Sequence, residues 1–441
     1  VEDLLARARK PGEDALKLHS FYQGKLAVIP KCRIRGFEDF AVWYSPGVAA
    51  PCLDITQHPE KVFEHTNKGN FVAIVSDGSR VLGLGDIGPH AALPVMEGKA
   101  ILFKYLGGVD AFPLCIGTKN PAEIIQICKW LEPTFGGINL EDIAKPKCFD
   151  ILDRLRAEMT IPVWHDDQQG TATVTVAALL NALKVVGKSK EQAKISLIGV
   201  GAASVAVARL LFAAGFPPRN LIMADTKGIL HEGREDLATS GNEVKRRLSE
   251  ITNGEIRIGG IFEAMKGTDA CVAFSASGPG IIKAEWVSAM SPPAVVFACA
   301  NPIPEIWPWE AKAAGAAIVA TGRSDFPNQV NNSLVFPALF RGVLDVGART
   351  ITDEMCLAAA GELARCAEEK GLSENLILPR MDEWEVFPRE AAAVGKMAME
   401  QGVARRKLSG EELFGKACET IKRARDELTA LMEKGLIPPA P

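Results

Sequence analysis

Short, uninterrupted apolar runs punctuate the first part of the chain: Phe71–Val75, Ala111–Cys115, Gly137–Leu140 and Ile161–Trp164. Such runs fit strands buried on both faces, as in a parallel sheet. Helix-like stretches lie between them, notably Pro121–Leu131 and Pro146–Met159. The alternation predicts a parallel sheet with right-handed crossovers. A second series follows at Ile195–Ile198, Leu221–Ala224, Ala270–Ser275, Ala294–Cys299 and Ala316–Ala320, with helices between, for example Ser204–Ala214. A charged amphipathic helix is expected over Asp3–Leu18, interrupted near Pro11-Gly12. Asp353–Glu369 and Glu411–Glu433 read as charged helices. Thr171–Val186 is the longest apolar helix candidate, yet its threonines and Asn181 mark a buried crossover helix, not a membrane span. The fold class is α/β. An N-terminal parallel-sheet domain is expected over 1–164, a Rossmann-type dinucleotide domain over 165–375 and a helical segment over 376–441. No internal repeat or low-complexity tract interrupts this order.

Acidic pairs stand where two of these strands stop. Glu141-Asp142 follows Gly137–Leu140, and Asp166-Asp167 stands where Ile161–Trp164 stops and a long helix begins. Ligands of parallel α/β sheets collect outside the carboxyl ends of the strands, so both pairs are expected to face one crevice. Carboxylates gathered there, with no His or Cys cluster, suit a hard divalent cation such as Mg2+ or Mn2+.

Two glycine motifs compete for the cofactor. Gly83-Leu84-Gly85-Asp86-Ile87-Gly88 matches GxGxxG literally, whereas Gly199-Val200-Gly201-Ala202-Ala203-Ser204 has serine at the third glycine. The second has the better context. It follows a strand and opens a helix, and Asp225 ends the next strand about twenty residues on, where an acid accepts from ribose hydroxyls. Asp110 precedes its strand instead, so Gly83–Gly88 reads as a tight turn lining the substrate crevice. Asp225 favours NAD over NADP, although Lys227 nearby blunts its repulsion of a 2′-phosphate.

Composition narrows the class without deciding it. The chain has 441 residues, 47% hydrophobic and 24% charged, which is globular. A formal net charge of −4 argues against nonspecific binding to nucleic acid or anionic membranes. Ten cysteines, scattered without a CxxC pair, fit a reducing cytoplasm better than a disulfide scaffold or zinc site.

The segments Tyr44-Ser45-Pro46-Gly47-Val48, Ser76 to Asp86, Gly136 to Asp142, His165 to Ala172 and Ala300-Asn301-Pro302 resemble the motifs of malic enzyme. They occur in family order and span the chain from about Tyr44 to Gly342, at a length that matches the compact prokaryotic form. Gln169 and Ile303 depart from the residues common there, histidine and threonine, at positions to which no chemistry is assigned.

The resemblance implies oxidative decarboxylation of (S)-malate to pyruvate and CO2, with NAD (NADP possible) as hydride acceptor. It implies Glu141, Asp142 and Asp167 as metal ligands, Lys99 as the base for the C2 hydroxyl and Tyr44 as the acid that protonates C3. Asp166 would tune Lys99, which as a base needs a lowered pKa. Arg80, Asn301 and Asn332 would hold malate; Gly199, Gly201, Ala202, Ala203, Ser204, Asp225, Lys227 and Asn301 would hold the cofactor. His165 is expected to be structural. A homodimer or larger homo-oligomer is implied, with catalytic residues able to cross between subunits. Two other readings remain. A malolactic enzyme would release lactate, and a non-catalytic metabolite sensor would have shed groups such as Tyr44, Lys99, Asp166 and Asp167. A metal-independent hydroxyacid dehydrogenase leaves the acidic pairs unexplained.

Overall fold

The computed structural model describes residues 2–237 and 243–441, with side chains from residue 11 onward. Four strands form the first sheet: β1 (Phe71–Ser76), β2 (Asp110–Cys115), β3 (Gly137–Leu140) and β4 (Val163–His165), all parallel, in the order β2-β1-β3-β4. Alternate residues of β1 serve different cores. Ala73 and Val75 pack with Ile138, Leu140, Val163 and the helices Pro121–Leu131 and Lys147–Glu158. Val72 and Ile74 face Phe103, Trp164 and Phe340. Burial on both faces is what made β1, β3 and β4 continuous apolar runs, whereas β2, at the sheet edge, is only half-buried.

The second sheet holds β5 (Ile195–Ile198), β6 (Leu221–Asp225), β7 (Gly228–Ile229), β8 (Ala270–Ala273), β9 (Ala294–Ala298) and β10 (Ala316–Thr321). Its order is β10-β9-β8-β5-β6-β7, parallel except for β7, an antiparallel edge piece too short to read in the sequence. The helix Thr171–Val185 joins the two sheets and is buried over most of its length. Its residues share one core with Phe103 of the first half and Leu197, Val272 and Phe297 of the second.

Helices account for most of what the pattern missed. Gly88–Gly107 carries Pro94 inside and begins at the glycine turn, so its helical period was hidden. Phe336–Asp345, wholly buried, and Val386–Glu400 were also unread. The first helix runs from Glu2 to Tyr22 through Pro11 without the expected break, while the amphipathic character of its first turns falls on side chains outside the described residues. The C-terminal helix Gly410–Glu433 returns to the first half: Ile421 packs with Leu106, Ala338 and Phe387. A Cβ at Gly108 would lie 2.8 Å from Thr420 O, so glycine permits that approach. No described helix is long and apolar enough to cross a membrane, and all ten cysteines are free thiols.

Candidate active site

Each sheet has one place where successive crossovers leave in opposite directions. In the first it lies between β1 and β3, in the second between β5 and β8. Parallel sheets open a crevice there, outside the carboxyl ends of the strands. The loops after β1 and β3 are bonded to each other, Arg80 N donating to Asp142 O at 3.0 Å. β3 and β4 pair through Leu140 and His165, so the next residues, Glu141 and Asp166, emerge side by side.

Lys99 enters this acidic corner from the helix Gly88–Gly107. Its buried ammonium donates to Glu141 Oε1 at 3.1 Å and to Asp166 Oδ2, and lies 3.9 Å from the centroid of the Phe336 ring. Asp166, fully buried, also accepts from Trp164 Nε1 at 3.0 Å and from Asn332 Nδ2 at 2.7 Å. A side chain held at so many points is pre-oriented for chemistry. Burial pushes the Lys99 pKa down, and the charges and hydrogen bonds of Asp166 and Glu141 raise it on balance while no cation offsets those acids.

The carboxylates of Glu141 and Asp142 lie deep, whereas Asp167 is partly open. Glu141 accepts from Asn139 Nδ2 at 2.9 Å, and Asp167 Oδ2 accepts from the backbone of Asp142 at 3.0 Å. Burial, followed by the charge of Asp167, pushes the Asp142 carboxyl up to about 8. Glu141 is raised too, by burial, against the pull of Lys99 and with the push of Asp166, Asp167 and Asp142. Asp142 Oδ2 is buried without a hydrogen-bond partner. As the side chains lie, no group of three His, Cys, Asp or Glu among the described residues is arranged to hold a metal ion. The donor chemistry nevertheless fits one. Neighbouring carboxylates that repel one another, one with a buried oxygen lacking a partner, are what a divalent cation would relieve. His165 is fully buried, neither ring nitrogen is hydrogen-bonded, and burial lowers its pKa, all consistent with a neutral packing residue.

Arg80 stands beside this corner on a braced turn. Asp77 accepts from Ser79 N at 3.0 Å and Ser79 Oγ at 2.6 Å, and pairs with Lys147; Ser79 Oγ in turn accepts from Ala144 N. The exposed Arg80 guanidinium donates to Leu82 O and has no carboxylate partner in a salt bridge among the described residues. Gly83 approaches the loop after β9 so closely that a Cβ would lie 2.6 Å from Asn301 O. Tyr44 is a different matter. It follows the short helix Phe40–Trp43, is 74% exposed, and is not among the partners of Lys99.

At the second switch point Gly199 has φ +90°, and a Cβ there would meet Phe274 O at 2.5 Å. Gly201 caps the helix Ala202–Ala213 and leaves its backbone open, the arrangement that admits a pyrophosphate. Ala202 and Ala203 start that helix, and Ser204 packs fully buried, small enough for close helix–strand contact. Gly83–Gly88 forms the tight turn expected of it, with Val81 bridged to Gly85 and Gly88 opening a helix.

Asp225 ends β6, but its surroundings differ from the expectation. Arg234 Nη1 donates to Asp225 Oδ1 at 2.9 Å and Lys245 Nζ to Oδ2 at 2.5 Å. Lys227 contributes its backbone N–H, while its ammonium faces Asp236. The neutralising charges are therefore Arg234 and Lys245, distant in sequence and unread there. Lys145, also unread, reaches from the first half to Val200 O on the glycine turn at 3.2 Å.

Comparison with known proteins agrees with this geometry. The family description "Malic enzyme, NAD binding domain" matches residues 168–399, and "Malic enzyme, N-terminal domain" matches 23–125 and 118–156. The chain is 49% identical over 404 residues to a bifunctional malic/malolactic enzyme of Bacillus subtilis, covering 92% of this chain and 97% of that protein. It is 48% identical to an NAD-dependent malic enzyme of Geobacillus stearothermophilus, over 87% of this chain and 78% of that one. The crystal structure of the Entamoeba histolytica malic enzyme superposes with a TM-score of 0.97 at 46% identity, covering 100% of this chain and 93% of that one. That from Pyrococcus horikoshii gives 0.89 at 51%, over 93% and 95% of the two chains. The chain belongs to the malic enzyme family.

Proposed function

We infer that the chain oxidises (S)-malate and releases pyruvate and CO2, with NAD(P)+ taking the hydride. The observation that carries this reading is Lys99, buried among acids at a strand-end crevice whose loops touch the glycine-turn half of the protein. Arg80, with guanidinium donors left over, clamps a malate carboxylate. Asn301 and Asn332 orient the substrate. Lys99, once it has given up its ammonium proton, which a cation held by Glu141, Asp142 and Asp167 would favour, takes the C2 hydroxyl proton, with Asp166 holding it in place. Glu141, Asp142 and Asp167 are the residues that would hold Mg2+ or Mn2+, which when bound supplies positive charge for an oxygen that turns anionic in both halves of the reaction. Tyr44 gives a proton to C3 of the enol. The division at 164 and 375 then separates substrate and cofactor units, with 376–441 clasping the first.

The exposed N-terminal face suggests how Tyr44 arrives. Phe37 is 91% exposed, and Val28, Val42, Trp43 and Leu53 of the same stretch of chain are exposed too, more apolar surface in one segment than a monomer normally shows. A second copy of this chain covers that face in a homodimer, and Tyr44 within it serves the Lys99 crevice of the partner.

A malolactic outcome stays in view because one relative is named for both activities. Product analysis after malate turnover with NAD+ and Mn2+ decides. Pyruvate with stoichiometric free NADH supports the oxidative reading, and lactate without free NADH replaces it.

NAD is the preferred cofactor and NADP is accepted, because the Asp225 charge is largely compensated by Arg234 and Lys245. Lys245→Ala should restore repulsion of a 2′-phosphate and lower kcat/KM for NADP+ roughly tenfold more than for NAD+, about 1.4 kcal/mol. An unchanged ratio between the cofactors would remove Lys245 from their discrimination.

A further inference from the structure

Glu305 is a carboxylate with no exposure and, among the described residues, no cationic partner. Keeping such a group inside a protein costs several kcal/mol unless hydrogen bonds replace the lost water. Three do so. Oε1 accepts from Ser275 N at 2.8 Å and from Ser275 Oγ at 3.1 Å, and Oε2 accepts from Ala300 N at 3.0 Å. An apolar side chain of similar size would have filled the space at less cost, so the question is what the clasp holds.

Its two ends lie on the two loops that the reaction must bring together. Ser275 follows β8, and its Cα would lie 3.3 Å from a Cβ at Gly199, so it forms the wall of the dinucleotide turn. Ala300 precedes Asn301, the residue against which Gly83 of the substrate half is pressed. The same loops are sewn together further on. Ser277 Oγ bonds to both the N–H and the carbonyl of Ile303, Gly278 N donates to Ile303 O, and Ile282 N donates to Glu305 O.

We propose that Glu305 is a positioning residue: it fixes the distance between the cofactor turn and the Asn301 loop, and hence between the nicotinamide and C2 of malate. It touches neither molecule. This rests on the malate-oxidising reading, and wild-type turnover tests that reading separately. Hydride transfer depends on the relative placement of two bound molecules, and an error on the scale of 1 Å costs about 10²-fold. Decarboxylation of supplied oxaloacetate depends on the placement of one.

Glu305→Gln keeps the shape and the acceptor for Ser275 but turns an N–H toward the Ala300 N–H. Malate oxidation should fall on the order of 10²-fold, and the C2-deuterium isotope effect on kcat should rise as hydride transfer becomes limiting. Oxaloacetate decarboxylation and the NADH dissociation constant, read by nicotinamide fluorescence, should stay within about threefold, since neither depends on that alignment. A parallel loss of both half-reactions, whether or not Tm drops, overturns the proposal, as does an unchanged oxidation rate or isotope effect. If Glu305→Gln does not fold, Ser275→Ala carries the same test. It removes one of the three bonds and should give the same signature at roughly a tenth of the size. Absence of that signature in Ser275→Ala likewise overturns the proposal.

Discussion

Lys99→Ala is expected to slow malate oxidation by roughly 10²–10⁴-fold while oxaloacetate decarboxylation suffers much less. The two reactions differ in one proton. Oxidation must take it from the C2 hydroxyl, whereas oxaloacetate already carries a carbonyl at C2. Lys99 also neutralises Asp166 and Glu141 in a buried setting, and deleting one partner of such a group destabilises by about 3–5 kcal/mol. Thermal unfolding must therefore accompany the rates. Lys99→Arg supplies the control, since it keeps the charge but cannot serve as a base. If Lys99→Arg retains malate oxidation near the wild-type rate, Lys99 is an electrostatic prop and the base lies elsewhere.

Mixing two inactive variants should regenerate activity. If each site combines Lys99 of one subunit with Tyr44 of the other, a hybrid of Tyr44→Phe and Lys99→Ala subunits contains one intact site and one doubly damaged site. Random reassociation of equal amounts makes half the dimers hybrid, so about a quarter of the wild-type rate should return. Sites built within one chain would recover nothing. Tyr44 lies in an exposed apolar segment, whereas Lys99 is already enclosed by Glu141, Asp166 and Phe336. Light scattering that finds only monomers under assay conditions would also end this account of Tyr44.

The sequence disclosed strands better than helices, for a physical reason. A strand such as Phe71–Ser76, buried on both faces, leaves a short apolar run whose length and β-branched residues mark it. The helix Gly88–Gly107 starts at a glycine turn and contains Pro94, so neither its period nor its limits stood out. Of the site, the acids at Glu141-Asp142 and Asp166-Asp167 were legible because strand ends are where parallel sheets bind ligands. The hold of Glu141 on Lys99 was not. Glu141 lies 42 residues away, and only the fold sets its charge, with that of Asp166, against the burial of the ammonium. Asp225 was legible as the acid ending β6, but Arg234 and Lys245 reach it through loop and helix geometry that spacing does not encode. Glu305 left a fainter trace, an acid just past Asn301-Pro302 within an apolar stretch, which pattern alone reads as a surface charge.

Whether the carboxylate corner serves both halves of the reaction is decided by Asp167→Asn. The substitution preserves shape and removes one charge, weakening any cation held there. Both malate oxidation and oxaloacetate decarboxylation should collapse at ordinary Mn2+ concentrations, and a large excess of Mn2+ should recover part of each. Mn2+ binding followed by electron paramagnetic resonance should weaken in step with the rates. An Asp167→Asn protein that decarboxylates oxaloacetate at the full rate, with no dependence on added metal, would show that Asp167 holds no cation and that the corner does not serve both halves.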